Sequence, residues 1–86
     1  MKYYVSEVTR YKEPVNGKDE TFSMNAYDEQ RLALATYHQK MSTAMKNDNV
    51  ILEIVDVKSE QGVMIINPDV YQKPIEPVVT EESTEE

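Results

Sequence analysis

The feature that most constrains this fold is a strand segment that is apolar on both sides. Segment 50–57 reads Val-Ile-Leu-Glu-Ile-Val-Asp-Val, a composition typical of a β-strand. Alternation divides its apolar residues between two faces, with Val50, Leu52 and Ile54 on one and Ile51, Val55 and Val57 on the other. One helix covers only one face of a sheet, so a sheet built around this segment leaves an apolar face that needs another partner.

The other segments predict the order β-β-α-β-β. Segments 3–11 and 21–26 predict two strands, joined by a loop over 12–20 that holds Pro14 and is too long for a tight two-residue turn. Segment 63–66 predicts a fourth strand after a turn at 59–62, and segment 69–73 fits either a turn of helix or an extended edge. This order predicts an α+β fold in which one helix packs on one face of a four-stranded, mostly antiparallel sheet.

The single helix is predicted from capping signals and periodicity. Asp28 is the expected N-cap, Glu29 follows in the first turn, and the helix should end near Lys46 or Asn47. The apolar residues recur at helical spacing and form one stripe, which comprises Ala33, Leu34, Tyr37, Met41, Ala44 and Met45. This stripe is predicted to pack on the sheet.

Length and charge limit the classes of protein to consider. With 86 residues, we expect one domain over 1–75 and a disordered acidic tail over 76–86. Four of the excess acids are glutamates in the last seven residues, so the net charge of −7 falls to −3 on the rest of the chain. The sequence has no stripe of basic residues that could follow a phosphate backbone, which disfavours direct binding of nucleic acid.

The lack of cysteine and the single histidine exclude disulfides, thiolate metal sites and multi-histidine metal sites. We therefore expect no cofactor. No apolar segment near the N-terminus has the length of a signal peptide, and none suggests a membrane span, so we expect a cytoplasmic protein.

A core of this size supplies little surplus stability, which favours self-association. The second apolar sheet face favours a homo-oligomer. Two alternatives remain open at this point: a C-terminal segment with Val70, Tyr71 and Ile75 that folds back over the face, or a different protein that binds there.

Sequence motifs of common enzymes are absent, which favours a protein that is not an enzyme. Glu53 and Asp56 are interpreted as solvated charges without a catalytic partner. If the helix lines a shared pocket, Arg31 and His38 are the groups best suited to hold an anionic ligand.

Two segments resemble a known group of proteins. Lys-Tyr-Tyr-Val-Ser-Glu-Val at 2–8 and Ala-Leu-Ala-Thr-Tyr-His-Gln-Lys-Met-Ser-Thr-Ala-Met-Lys at 33–46 are similar to segments of small uncharacterised proteins encoded by phages and prophages of Gram-positive bacteria. The resemblance covers about residues 2–66. It implies a phage accessory protein, a class that includes inhibitors of host defence enzymes, oligomeric sponges for nucleotide immune signals, and virion accessories.

The leading hypothesis is a homo-oligomeric protein that sequesters a nucleotide immune signal of the host. Its candidate ligand-binding residues supply charge and stacking, and they are Arg31, His38, Lys40, Tyr3, Tyr4 and Tyr37. The alternatives are a protein-binding inhibitor of a host defence enzyme and a virion or assembly accessory protein.

Overall fold

The computed structural model describes residues 1–74, which form one antiparallel sheet and one helix. The elements, in chain order, are β1 (Tyr3–Val15), β2 (Lys18–Tyr27), α1 (Gln30–Lys46), β3 (Val50–Ser59) and β4 (Met64–Gln72). The strand order across the sheet is β2-β1-β3-β4. The predicted α+β class, the β-β-α-β-β order and the four-stranded sheet are confirmed, whereas the predicted tail over 76–86 lies outside the described residues.

The first hairpin is longer and tighter than predicted. Its strands continue to Val15 and resume at Lys18, so only Asn16 and Gly17 form the turn, with φ of 53° and 78°. Two positive φ angles are characteristic of a type I′ hairpin turn, for which Asn-Gly is a preferred pair. The prediction of a long loop was wrong because Pro14 lies where pairing with β2 is irregular, and so the missing N–H disrupts no regular ladder.

The helix begins one residue later than predicted. Glu29 occupies the N-cap position without a side-chain cap hydrogen bond, and the Asp28 carboxylate instead accepts a hydrogen bond from Lys2 Nζ at 2.6 Å. The helix ends at Lys46, as expected. Its buried side is narrower than the predicted stripe, since Met45 is 57% exposed.

The fourth strand is also longer than predicted. It extends from Met64 to Gln72 and includes Pro68, so the alternative of a helical turn over 69–73 is wrong. Proline is tolerated because β4 is an edge strand and its register against β3 shifts at this point.

The face of the sheet under the helix, which we call the covered face, holds the core. Val5, Val55 and Val57 are fully buried against Ala33 and Met41 of α1. The helix packs chiefly on β3. Val50 also lies buried, because the register shifts between the Tyr11–Val50 and Arg10–Leu52 pairs and moves Val50 away from the side of Leu52.

The opposite face, the open face, carries an apolar row across all four strands. Val8 pairs with Phe22 on one side and with Ile54 on the other, and Ile54 pairs with Val70. Phe22 is 64% exposed and Val70 is 54% exposed. Val70 and Tyr71 belong to β4, so these two residues do not fold back over the sheet, and Ile75 lies outside the described residues.

No helix within residues 1–74 combines the length and the apolar content needed to cross a bilayer.

Candidate functional site

A glutamate lies buried beneath the helix, at a position where the strand pattern calls for an apolar side chain. Glu53 is in the middle of β3, and alternation places it on the covered face with Val55 and Val57. Its exposed fraction is 1%. A buried carboxyl group is costly unless its oxygens have hydrogen-bond partners, so the partners of Glu53 decide what this position does.

Only one of the two Glu53 carboxyl oxygens accepts a hydrogen bond from a residue within 1–74. Thr9 lies opposite Glu53 in the ladder between β1 and β3, and its Oγ1 donates to Glu53 Oε1 at 2.6 Å. Glu53 Oε2 is buried and accepts no hydrogen bond from any residue within 1–74. This oxygen can therefore accept a further hydrogen bond.

A second carboxylate lies next to Glu53. Glu7 Oε1 accepts a hydrogen bond from Lys40 Nζ at 2.8 Å and from Ser23 Oγ at 3.2 Å. The Glu7 and Lys40 side chains are both about one-fifth exposed. The charge of Lys40 is thus compensated within the protein.

The surroundings of the two glutamates shift their pKa values in opposite directions. Burial, together with a hydrogen bond that protonated Glu53 donates to Glu7, raises the pKa of Glu53 to about 8. Burial also opposes ionisation of Glu7, but its hydrogen bonds to Glu53, Lys40 and Ser23 outweigh that effect and lower its pKa. At neutral pH, Glu53 retains its proton while Glu7 is ionised.

The two glutamates line a cleft between α1 and the sheet. Its volume is about 430 Å³, which lies within the range of small-molecule sites. The lining is largely polar and includes Glu7, Tyr11, Tyr27 and Glu53 from the sheet and Gln39, Lys40 and Thr43 from the helix. Hydroxyl, amide and carboxyl groups therefore converge on a space of the right size for a nucleobase or a compact amine.

The chemistry available in this cleft is hydrogen bonding. Glu53 can donate through its proton or accept two N–H groups once that proton leaves. Within the described part of the chain, no group of three or more His, Cys, Asp or Glu side chains is arranged to hold a metal ion. The arrangement suits recognition of a ligand that presents N–H donors.

The six residues predicted to bind a ligand lie in several places. Lys40 lines the cleft. Arg31 lies at the start of α1, where its Nε contacts Glu29 Oε1 at 2.7 Å. Tyr3 packs against the core of the covered face, whereas Tyr4 follows it in β1 on the other side of the sheet.

The remaining two predicted residues lie side by side on the helix. The ring centroids of Tyr37 and His38 are 4.7 Å apart, and the Tyr37 hydroxyl donates to Asp69 Oδ2 at 2.6 Å. Within one chain the six residues do not surround a common space, and only Lys40 belongs to the cleft. The ligand site predicted from these six residues stays a prediction.

The interpretation of Glu53 as a solvated charge is wrong, because Glu53 is almost completely buried. One signal in the sequence could have identified it: residues 53, 55 and 57 share one strand face, and two of them are valine. A single carboxylate among the apolar residues of one strand face has two explanations. Either that face is exposed to solvent at this position, or the fold buries the acid.

Comparison of the chain with protein-family models, with curated proteins and with solved structures found no match.

Proposed function

We propose that this protein is a non-enzymatic binding protein that holds a small nitrogen-containing molecule in the cleft and so withholds it from other proteins. The observation that carries the proposal is the free oxygen of Glu53. It is buried, it accepts no hydrogen bond within residues 1–74, and its residue lines a cleft of ligand size. An incoming N–H donor would supply the missing hydrogen bond.

The charges in the cleft define the class of ligand. Lys40 is the cation that lines it, and its ammonium group is bonded to Glu7. A phosphate would therefore find no uncompensated positive charge there, whereas a base or an amine would find a carboxyl group and nearby tyrosine rings. We infer that a nucleotide ligand would place its base in the cleft and its phosphates outside.

This inference refines the sequestration hypothesis that the sequence suggested. The resemblance to phage accessory proteins supplies its biological setting, which is the removal of a nucleotide signal used in host defence. A protein-binding inhibitor of a host defence enzyme is the second candidate. The exposed apolar row on the open face, with Phe22 and Val70 at its ends, favours that alternative.

Calorimetry tests the proposal. We would titrate the protein with guanosine, adenosine and cytidine, with their 5′-monophosphates, and with cyclic dinucleotides. We expect at least one nucleoside to bind, and its 5′-phosphate to bind with similar affinity, because the phosphate lies outside the cleft.

Two variants separate binding in the cleft from binding elsewhere. Glu53→Met retains the approximate length of the side chain but removes both carboxyl oxygens, and it should weaken the affinity for a donor ligand by about 30-fold or more. Glu13→Gln removes an exposed carboxylate from the same sheet and should leave the affinity unchanged. Equal losses in the two variants, or no binding by any compound of the panel, would contradict the proposal.

A further inference from the structure

The apolar residues of the open face lie in register across the sheet. Its central row, Phe22–Val8–Ile54–Val70, consists of one apolar residue from each strand in direct cross-strand register. Met24, which is also exposed, lies next to it on β2. A continuous apolar row across a whole sheet, without cover from any described residue, is unusual on an isolated domain.

Charged residues flank the apolar row on both sides. One flanking row contains the Arg10–Glu20 pair, whose Nη2 and Oε1 are 3.2 Å apart. The other contains Ser6 opposite Asp56, and Asp56 Oδ1 has no hydrogen-bond partner among residues 1–74. The face is thus an apolar centre with an ion pair on one side and an acid on the other.

We propose that this face binds the same face of a second copy of the chain. A two-fold axis that runs along the apolar row would place that row against itself and exchange the two flanking rows. Arg10 of one copy would then lie across from Ser6 of the other, one strand away from Asp56. The register of the strands therefore makes the apolar row complementary to itself and brings the Arg10–Glu20 pair of one copy near Asp56 of the other.

The size of the face agrees with this assignment. Four strands about 4.8 Å apart, over the four rows from Tyr4 to Arg10 at about 6.8 Å per row, cover about 500 Å² on each copy. Two copies would bury about 1,000 Å², which is at the lower end of specific interfaces. The small core, with seven buried apolar residues within 1–74, gives the chain a further reason to bury this face.

A different protein could cover the apolar centre equally well. The exchange of the two flanking rows, however, arises only when two identical faces meet about a two-fold axis. The dimer does not depend on the proposed ligand, because the cleft lies on the covered face. The two proposals can therefore fail independently.

Sedimentation equilibrium of the full chain tests the dimer. The expected mass is twice that of the 10.0 kDa chain. Phe22→Glu places a charge in the apolar row at a side chain that is already exposed, so the fold should persist, and the dimer should weaken by about 30-fold or more. Met45→Glu makes the same kind of change at a similarly exposed methionine on α1 and should leave the dimer unchanged.

Charge exchange tests the orientation of the two copies. Arg10→Glu should weaken the dimer, and the double variant Arg10→Glu with Asp56→Arg should restore it. If Phe22→Glu does not fold, as judged by circular dichroism, Val70→Lys tests the same row from the opposite edge. A monomeric wild-type chain, or a dimer that survives both Phe22→Glu and Val70→Lys, would overturn the proposal.

Discussion

The covered face and the open face of this sheet each hold one side chain that reverses the usual pattern of small domains. Beneath the helix lies a carboxyl group, Glu53, with an exposed fraction of 1%, whereas the open face presents Phe22 with an exposed fraction of 64%. A chain selected only for stability would place the apolar side chain inside and the acid outside. This reversal is the reason to assign binding roles to both faces.

The two faces also differ in the size of the partner that each could bind. On the covered face, one carboxyl oxygen accepts no hydrogen bond within the described chain, so a small molecule with a matching donor is sufficient. On the open face, an apolar row crosses all four strands and its two ends are exposed, so a partner of similar extent is required. One sheet thus carries two sites of different scale.

The largest expected effect is a difference in the free energy of unfolding that a valine contributes on each of the two faces. Val55 is fully buried on the covered face, and Val55→Ala should lower the free energy of unfolding by about 2–3 kcal/mol. The matched change Val70→Ala on the open face should cost less than about 0.5 kcal/mol in the monomer. Urea unfolding at low protein concentration measures both, and equal losses would remove the distinction between the faces.

The second effect is a dependence of stability on pH that originates in Glu53. Its pKa is about 8 in the folded chain against an ordinary value of 4.5, so the folded state holds a proton that the unfolded state has released. The contribution of Glu53 to the free energy of unfolding is fully present below the unfolded pKa and is lost as pH rises towards 8. Between pH 5 and 7 we expect a loss on the order of 2 kcal/mol.

Urea unfolding of the wild type and Glu53→Gln across this range checks the effect. Glu53→Gln should abolish most of the slope, because glutamine does not titrate. Parallel pH profiles for the two proteins would show that Glu53 titrates normally.

The third effect concerns the ion pair beside Glu53. Lys40→Met removes the ammonium group that contacts Glu7 and should cost about 1 kcal/mol at pH 7. Because the pKa of Glu7 is lowered on folding, ionised Glu7 stabilises the fold at pH values above its unfolded pKa of 4.5. This stabilisation is lost as pH falls below that value. The difference between Lys40→Met and wild type should therefore shrink at pH 4, and Lys46→Met, at an exposed position, serves as the control at both pH values.

The smallest effect is expected at the start of the helix. Arg31 contacts Glu29 at 2.7 Å, but both side chains are more than half exposed, and exposed pairs contribute little. Arg31→Ala should change the free energy of unfolding by less than about 0.5 kcal/mol and leave ligand affinity in the cleft unchanged. A large loss of affinity would instead favour the site predicted from the sequence, in which Arg31 binds the ligand.

Much of this architecture was predictable because its signals are local. The helix and the strand at 50–59 follow from periodicity, and the surplus apolar face follows from alternation. Features set by distant contacts were not predictable. Asp28 is diverted from capping by Lys2, which is 26 positions away, and the position of Val50 depends on a register shift against β1.

The candidate site was harder to predict for the same reason. Its residues come from β1, β2, α1 and β3, and no sequence motif links them. Lys40 was identified from its charge and its place on the helix, whereas Glu7 and Thr9 become relevant only because the ladder brings them next to Glu53. Strand order, which the sequence did not reveal, decides that neighbourhood.

The central claim is that Glu53 is a buried carboxyl group that keeps its proton at neutral pH. A carbon-detected NMR titration of protein labelled at the glutamate side chains measures it directly, with Glu53→Gln used to assign the signal. We predict one carboxyl resonance that titrates near pH 8 and is missing from the variant. A Glu53 resonance that titrates near the ordinary glutamate pKa of about 4.3 would contradict the account.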